Sequence, residues 1–251
     1  MGGRIYAIAN QKGGVGKTTT AVNLAACLAE SGERALVVDL DPQANATSGL
    51  GETANGRSSY DLLAGHPLAD LARPTRFPNL DLVPSKPALA GATVELGREE
   101  GAERYLSEAL AHAGDSYSFV FLDCPPSLGP LTVSALAAAD RVLVPVQAEY
   151  YALEGLAQLV HSVNLVRSRL NPRLQLAGIL LTMVDSRTRL ASDVVKEVRE
   201  HFGDLVFRAL VPRSVRLAEA PSHGLPAIAY DPRSTGAEAY WKVAMELVER
   251  H

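Results

Sequence analysis

Asn10-Gln11-Lys12-Gly13-Gly14-Val15-Gly16-Lys17-Thr18-Thr19 decides how the rest of this 251-residue chain is read. The residues before it, Arg4-Ile5-Tyr6-Ala7-Ile8-Ala9, are apolar and β-compatible, while Thr18 to Ala29 carries Val22, Ala25, Ala26 and Ala29 at helical spacing. The stretch therefore joins a strand to a helix N-terminus. There, successive backbone N–H groups and the positive end of the helix dipole face an anion, and Gly13, Gly14 and Gly16 let the chain curl around phosphate oxygens without Cβ clashes. Lys17 then reaches β and γ phosphates, and Thr18 is placed to hold Mg²⁺.

The strict form of this loop has glycine where the chain has Gln11, and here a second lysine, Lys12, stands in the arc. Lys17 already occupies the phosphate site and two ammonium groups repel, so Lys12 is expected to reach a nucleotide held by a second subunit. The competing reading is a solvated loop lysine. Lys12-Gly13-Gly14-Val15-Gly16-Lys17-Thr18 resembles the deviant Walker A box of the ParA/MinD group of P-loop ATPases. The resemblance implies that Lys12 is the signature lysine that crosses a dimer interface to the partner's ATP.

Further strand-like runs appear at residues 35–39, 80–83, 119–123, 141–146, 176–181 and 206–211, most of them separated by helix-length segments. Near-continuous apolar strands alternating with helices predict a single-domain α/β P-loop NTPase fold over residues 1–251, with a twisted, mostly parallel sheet and helices on both faces. Residues 43–79 are weakly periodic and rich in Gly, Pro, Asn and Ser, so an irregular excursion with short helices is expected there. The last helix, about 235–249, sets Tyr240, Val243, Ala244, Leu247 and Val248 on one stripe that reads as core packing.

Ligands in such sheets bind beyond the carboxyl ends of the strands, so the polar residues there are the candidates. Asp39 and Asp41 alternate to the same side of their strand end, where both are expected to reach the phosphate crevice. One suits orientation of an attacking water and the other suits support of Mg²⁺ or of the loop. The family resemblance assigns hydrolysis to Asp41, leaving Asp39 either a Mg²⁺-side carboxylate or a loop-fixing one. Phe119-Val120-Phe121-Leu122-Asp123 is a Walker B arrangement, four apolar residues before a carboxylate that holds Mg²⁺. The following Pro125-Pro126 pair belongs, by resemblance, to a segment that senses the γ phosphate.

Val144 to Gly155 and Pro212 to Gly224 resemble the chromosomal Soj subgroup of ParA proteins. That resemblance implies an adenine-lining segment beginning at Pro212, although Ser214 stands where asparagine is expected. The nucleotide-binding candidates are thus Lys12, Gly13, Gly14, Val15, Gly16, Lys17, Thr18, Thr19 and Pro212. Thr18, Asp123 and Asp39 are the Mg²⁺ candidates, and Asp41, Lys12 and Lys17 the catalytic ones.

Composition fits a soluble globular chain: 47% hydrophobic, 21% charged, net charge −4 and two cysteines, Cys27 and Cys124, that read as packed small residues. Met1-Gly2-Gly3-Arg4 leads into the first strand and no long apolar run follows, so neither signal peptide nor membrane span is expected and the cytoplasm is the expected location. The net charge hides an asymmetry. From Arg167 to Arg216 there are ten Lys or Arg against five Asp or Glu, a basic segment on an otherwise acidic chain. Such a run is by itself compatible with a solvated face. Residues matching Arg187 and Arg216 carry non-specific DNA binding in the family, with Arg189 a further candidate and Leu225 standing where a lysine is common.

The resemblance spans nearly the whole chain. It implies an ATP-sandwich homodimer that binds double-stranded DNA without sequence preference on the nucleoid and is released when a ParB-type centromere-binding partner stimulates hydrolysis. The alternatives are a nucleotide-state switch acting on another protein such as a replication initiator, a metabolic P-loop ligase of the dethiobiotin synthetase kind, and a MinD-like membrane oscillator. No obvious substrate lobe supports the ligase, and the last helix lacks the basic polar face of a membrane anchor, so no membrane partner is expected.

Overall fold

Short apolar runs and the helices between them organise a computed structural model that describes residues 3–96, 101–149 and 152–250. In chain order the strands are β1 (Arg4–Ile8), β2 (Ala35–Asp39), β3 (Arg73–Pro74), β4 (Leu80–Val83), β5 (Phe119–Asp123), β6 (Arg141–Gln147) and β7 (Gln175–Thr182). They form one sheet in the order β3-β4-β2-β5-β1-β6-β7, parallel throughout except for the two-residue edge strand β3. Strands 1, 2 and 5 are in register at their carboxyl ends, where Ile8 and Asp39 both pair with Asp123.

Side-chain alternation divides the core into two layers, one on each face of the sheet. Tyr6 and Ile8 of β1 and Phe119 and Phe121 of β5 pack with α1 (Lys17–Glu30) and α11 (Thr235–Glu249). Ala7, Val120 and Leu122 face the other way, onto a layer that includes α6 (Pro130–Ala138), α7 (Ala152–Arg169) and α8 (Arg189–Phe202). The doubly covered parallel sheet expected from the unbroken apolar strands is the one found. Both cysteines are buried and free, and burial pushes the Cys27 thiol up to about 12, so they are packing residues.

Two elements depart from expectation. Residues 206–211 are not a strand: Val206 bridges Ile179 and Pro212 bridges Val184, but between them the N–H groups of Arg208 and Ala209 donate to the buried Glu246 carboxylate at 2.9 and 3.0 Å. A side chain from α11 thus takes the bonds that a neighbouring strand would have received. On α11 itself, Tyr240, Val243, Ala244 and Leu247 are buried but Val248 is 49% exposed. The excursion at residues 43–79 holds α2 (Asn45–Gly49), α3 (Ser59–Leu63) and the edge strand β3; α4 (Leu89–Leu96) and α5 (Tyr105–Ala109) lie between β4 and β5, and α9 (Val215–Glu219) and α10 (Ala227–Tyr230) precede α11. Among the described residues no helix is long and apolar enough to cross a membrane.

Candidate nucleotide site

The loop that opens the sequence argument is fixed at three points. Pro145 lies in the upper half of β6, where the β1 ladder has ended at Leu143, and its carbonyl accepts from Asn10 Nδ2 at 2.7 Å. Asn10 Oδ1 in turn accepts from the Lys12 N–H at 3.0 Å, and the Thr182 hydroxyl, at the end of β7, donates to the Val15 carbonyl at 2.9 Å. Gly14 and Gly16 take φ of 74° and 89°, the left-handed turn that a side chain would oppose. The arch delivers the chain into α1, whose N-terminus has no side-chain cap and no acidic residue in its first turn. Its unsatisfied N–H groups and dipole are therefore available to an anion.

The two lysines face different ways. Lys17 is 7% exposed and its ammonium donates to the Lys12 carbonyl at 2.9 Å, bracing the arch. Burial lowers its pKa, while Asp123, Cys124 and Asp41 act in the opposite sense. A phosphate would supply the charge that this half-desolvated ammonium lacks. The Lys12 side chain is 53% exposed, and its ammonium pairs with Glu149 just beyond β6. It does not point into the arch it belongs to.

The carboxylates have equally distinct settings. Asp39 is fully buried, with Oδ1 accepting from the Asp41 N–H at 3.1 Å and Oδ2 accepting from the Thr47 N–H and hydroxyl at 2.9 and 2.7 Å. Burial pushes its pKa up to about 6 against the pull of those bonds. Both oxygens are occupied with fixing the turn into α2, which supports the loop-fixing role over the Mg²⁺ one. Asp123 is buried beside it with neither oxygen in a hydrogen bond. Burial and then the neighbouring Asp39 charge push its pKa well up, with Thr18 and Lys17 pulling the other way. An orphaned buried carboxylate with a threonine hydroxyl nearby is a setting that a divalent cation completes, and Thr18 and Asp123 fit Mg²⁺ on that ground. Among the described residues no three His, Cys, Asp or Glu side chains form a metal cage. Asp41 is 6% exposed, its Oδ1 accepting from the Gln43 N–H at 2.9 Å.

A cleft of about 450 Å³ opens over the arch. Gly13, Gly14, Gly16, Lys17, Thr18 and Thr19 form its floor, with Asp41 and Pro126 at its sides. Asp39, expected to reach the crevice beside Asp41, is instead enclosed beneath α2. Pro212 does not line the cleft either: it is held against Val184 in an isolated bridge. The wall expected there is built from Met183, Ala220, Pro221 and Leu225, so Leu225, read from sequence only as a missing lysine, belongs to the cleft. Asn23 was also missed. Its amide donates to the Thr19 carbonyl and its Oδ1 accepts from the Ala227 N–H at 2.7 Å, tying α1 to the chain beyond that wall. No local pattern marks its tie to Ala227, because that partner lies 204 residues along the chain.

The basic candidates lie on or just after two neighbouring segments, Arg187 in the loop after β7, Arg189 opening α8 and Arg216 in a short helix at 215–219; the Val184 N–H donates to the Val211 carbonyl and the Arg213 N–H to the Val184 carbonyl. Arg187 binds Asp185 through two bonds of 2.8 and 2.7 Å, and hydrogen bonds from Arg187, with help from the Arg213 charge, hold Asp185 down to about 2. Arg216 pairs with Glu219 at 2.8 Å and Asp231 at 3.3 Å. Arg189 is almost fully exposed, 4.0 Å from Asp193. Tyr150 and Tyr151, within the Soj-like run from Val144, lie outside the described residues.

Phosphate donors arrayed on a helix N-terminus, an orphaned strand-end carboxylate and a flanking aspartate define a P-loop ATPase. A family model described as an AAA domain matches residues 3–176. The chain is 53% identical over 248 residues to the sporulation initiation inhibitor protein Soj of Bacillus subtilis, covering 98% of each chain. It is 57% identical over 247 residues to the chromosome-partitioning ATPase Soj of Thermus thermophilus, covering 98% of this chain and 96% of the relative. A solved structure named cobyrinic acid a,c-diamide synthase from Mycobacterium smegmatis, with bound ATP analogue and magnesium, superposes with a TM-score of 0.86 at 37% identity, over 98% of this chain and 95% of that one. The chain belongs to the Soj/ParA family of chromosome-partitioning ATPases.

Proposed function

We propose that this protein is an ATP-hydrolysing partitioning factor whose two subunits close over two ATP molecules, bind DNA without sequence preference as that dimer, and let go after hydrolysis stimulated by a ParB-type partner. The observation that carries this reading is the orientation of Lys12. Its ammonium stands at the rim of the arch on Glu149, away from the phosphate floor of its own chain, where a second subunit's nucleotide can meet it.

Within one subunit the geometry supports a division of labour. The N–H groups of the arch and the Lys17 ammonium hold the phosphate chain, and charge that develops on the leaving phosphate is met by donors already in place. Thr18 and Asp123 would hold Mg²⁺, which would supply positive charge against the phosphate chain. Asp41, whose Oδ1 is fixed by the Gln43 N–H, orients water with its other oxygen. Lys12 adds a positive charge across the interface.

Arg187, Arg189 and Arg216 contact phosphates of the DNA backbone, so affinity falls steeply with salt. Closing the dimer joins two such faces, which makes DNA binding depend on ATP. A regulatory reading stands second, favoured by the name of the Bacillus subtilis relative, an inhibitor of sporulation initiation. There the nucleotide state would control another protein, such as a replication initiator. The Thermus thermophilus relative named for partitioning is 57% identical, against 37% for the structure named as a synthase, which favours partitioning over metabolism.

Light scattering with ATP and with ADP, for the wild type and Asp41→Ala, followed by DNA titrations at several salt concentrations, tests the proposal. The expected result is a dimer with ATP only, trapped by Asp41→Ala and binding DNA in a salt-sensitive way. A monomer under every condition would remove the dimer and with it the DNA cycle.

A further inference from the structure

Arg76 lies in the irregular excursion, between β3 and β4, and its guanidinium reaches 147 residues along the chain to the wall of the cleft. Its Nη2 donates to the His223 carbonyl at 3.1 Å and, in a short contact, to the Gly224 carbonyl. These carbonyls belong to the last residue of a 3-10 turn, Ala220–His223, and to the glycine that caps it; the turn supplies Ala220 and Pro221 to the cleft, with Leu225 following. Opposite stands α2, which supplies Asn45, Ser48 and Gly49.

The seam between these walls is closely fitted. A Cβ on Gly224 would lie 2.5 Å from the Gly51 Cα and 3.0 Å from Arg76 Nη2. One on Gly51 would lie 2.9 Å from Arg76 Nη2 and 3.1 Å from the Gly224 carbonyl oxygen. Two glycines therefore allow backbone to meet backbone, and the Arg76 guanidinium lies at the join, bonded to the 220–224 side of it. The phosphate floor is anchored separately, by Asn10, Lys17 and Thr182. The apolar members of the upper cleft, Val22, Pro221 and Leu225, suit the nucleoside, the part of ATP that phosphate donors do not hold.

We propose that Arg76 is a positioning residue for the nucleoside half of ATP: by clasping the 220–224 turn against α2 it sets the wall against which base and ribose pack. This rests on ATP occupying the cleft. The guanidinium touches no reacting atom, so its loss should weaken binding and leave the chemical step of bound ATP intact.

Calorimetric titration with ADP and, separately, with inorganic tripolyphosphate tests this, alongside steady-state ATPase kinetics. Arg76→Gln should raise the Kd for ADP and the KM for ATP about tenfold while kcat and the tripolyphosphate Kd stay within about twofold. Gly224→Ala wedges the same seam with Arg76 retained and should give the same pattern. Arg76→Lys, which keeps the charge but not the planar fork, should fall between. Equal weakening of ADP and tripolyphosphate in these variants would mean a general loss of structure and overturn the assignment, as would unchanged ADP binding. A wild type that binds no ADP would instead strike at the nucleotide site itself, which separates the two failures.

Discussion

At the scale of single residues, the two lysines of the arch share a motif and differ in environment. Lys17 is buried under the phosphate position, and an alanine there leaves the β and γ phosphates without a charge-assisted donor. Nucleotide affinity in Lys17→Ala should fall by about 10- to 100-fold, read by ADP titration. Lys12 points to Glu149, so Lys12→Ala should leave ADP affinity within about twofold while abolishing the ATP-dependent dimer in light scattering. A large loss of ADP affinity would place Lys12 on its own subunit's phosphates. The arch was legible in sequence because its chemistry is local: glycines, lysine and threonine at fixed offsets on a helix N-terminus. Glu149, Asn23 and Arg76 carry no such pattern, since their partners lie far along the chain.

Among the elements, α2 and the 206–211 segment show how one buried carboxylate can organise a loop. Thr47→Val removes the hydroxyl that donates to Asp39 and accepts from the Ser85 N–H, leaving buried groups unpaired. It should cost about 1–3 kcal/mol in urea unfolding without nucleotide. Glu246 does the same work for Arg208 and Ala209, with Arg250 as its cation. Burial raises its pKa, but those hydrogen bonds and Arg250 outweigh burial and hold it below the ordinary glutamate value. Its stabilisation is thus present above the unfolded-state pKa and lost as pH falls through the folded one. Glu246→Gln should destabilise by about 1–3 kcal/mol at pH 7, with the gap from wild type closing below about pH 4. Strand periodicity at 206–211 invited a ladder that Glu246 pre-empted, and a helix side chain is not visible to a reading of local alternation.

For the whole molecule, the nucleotide cleft and the basic loops are parts of one connected surface. The loop that carries Arg187 begins at Met183 in the cleft wall, and α9 (Val215–Glu219), which carries Arg216, runs straight into the 220–223 turn. In DNA titrations of the ATP-bound Asp41→Ala form, each of Arg187→Ala and Arg216→Ala should flatten the log K against log salt plot by about 1 per arginine removed. Asp185→Asn, which frees Arg187 from its competing carboxylate, should strengthen binding; no change in either direction would leave these loops a solvated face. By itself the sequence determined the doubly covered parallel sheet, the phosphate arch and the carboxylates at the strand ends, because strand alternation, helix periodicity and loop chemistry all act over a few residues. Only the tertiary structure decided which carboxylate is left without partners, which residue the outward lysine pairs with and which residues wall the cleft. Those outcomes depend on burial and on hydrogen bonds between segments that meet only when the sheet and its two helical layers have closed.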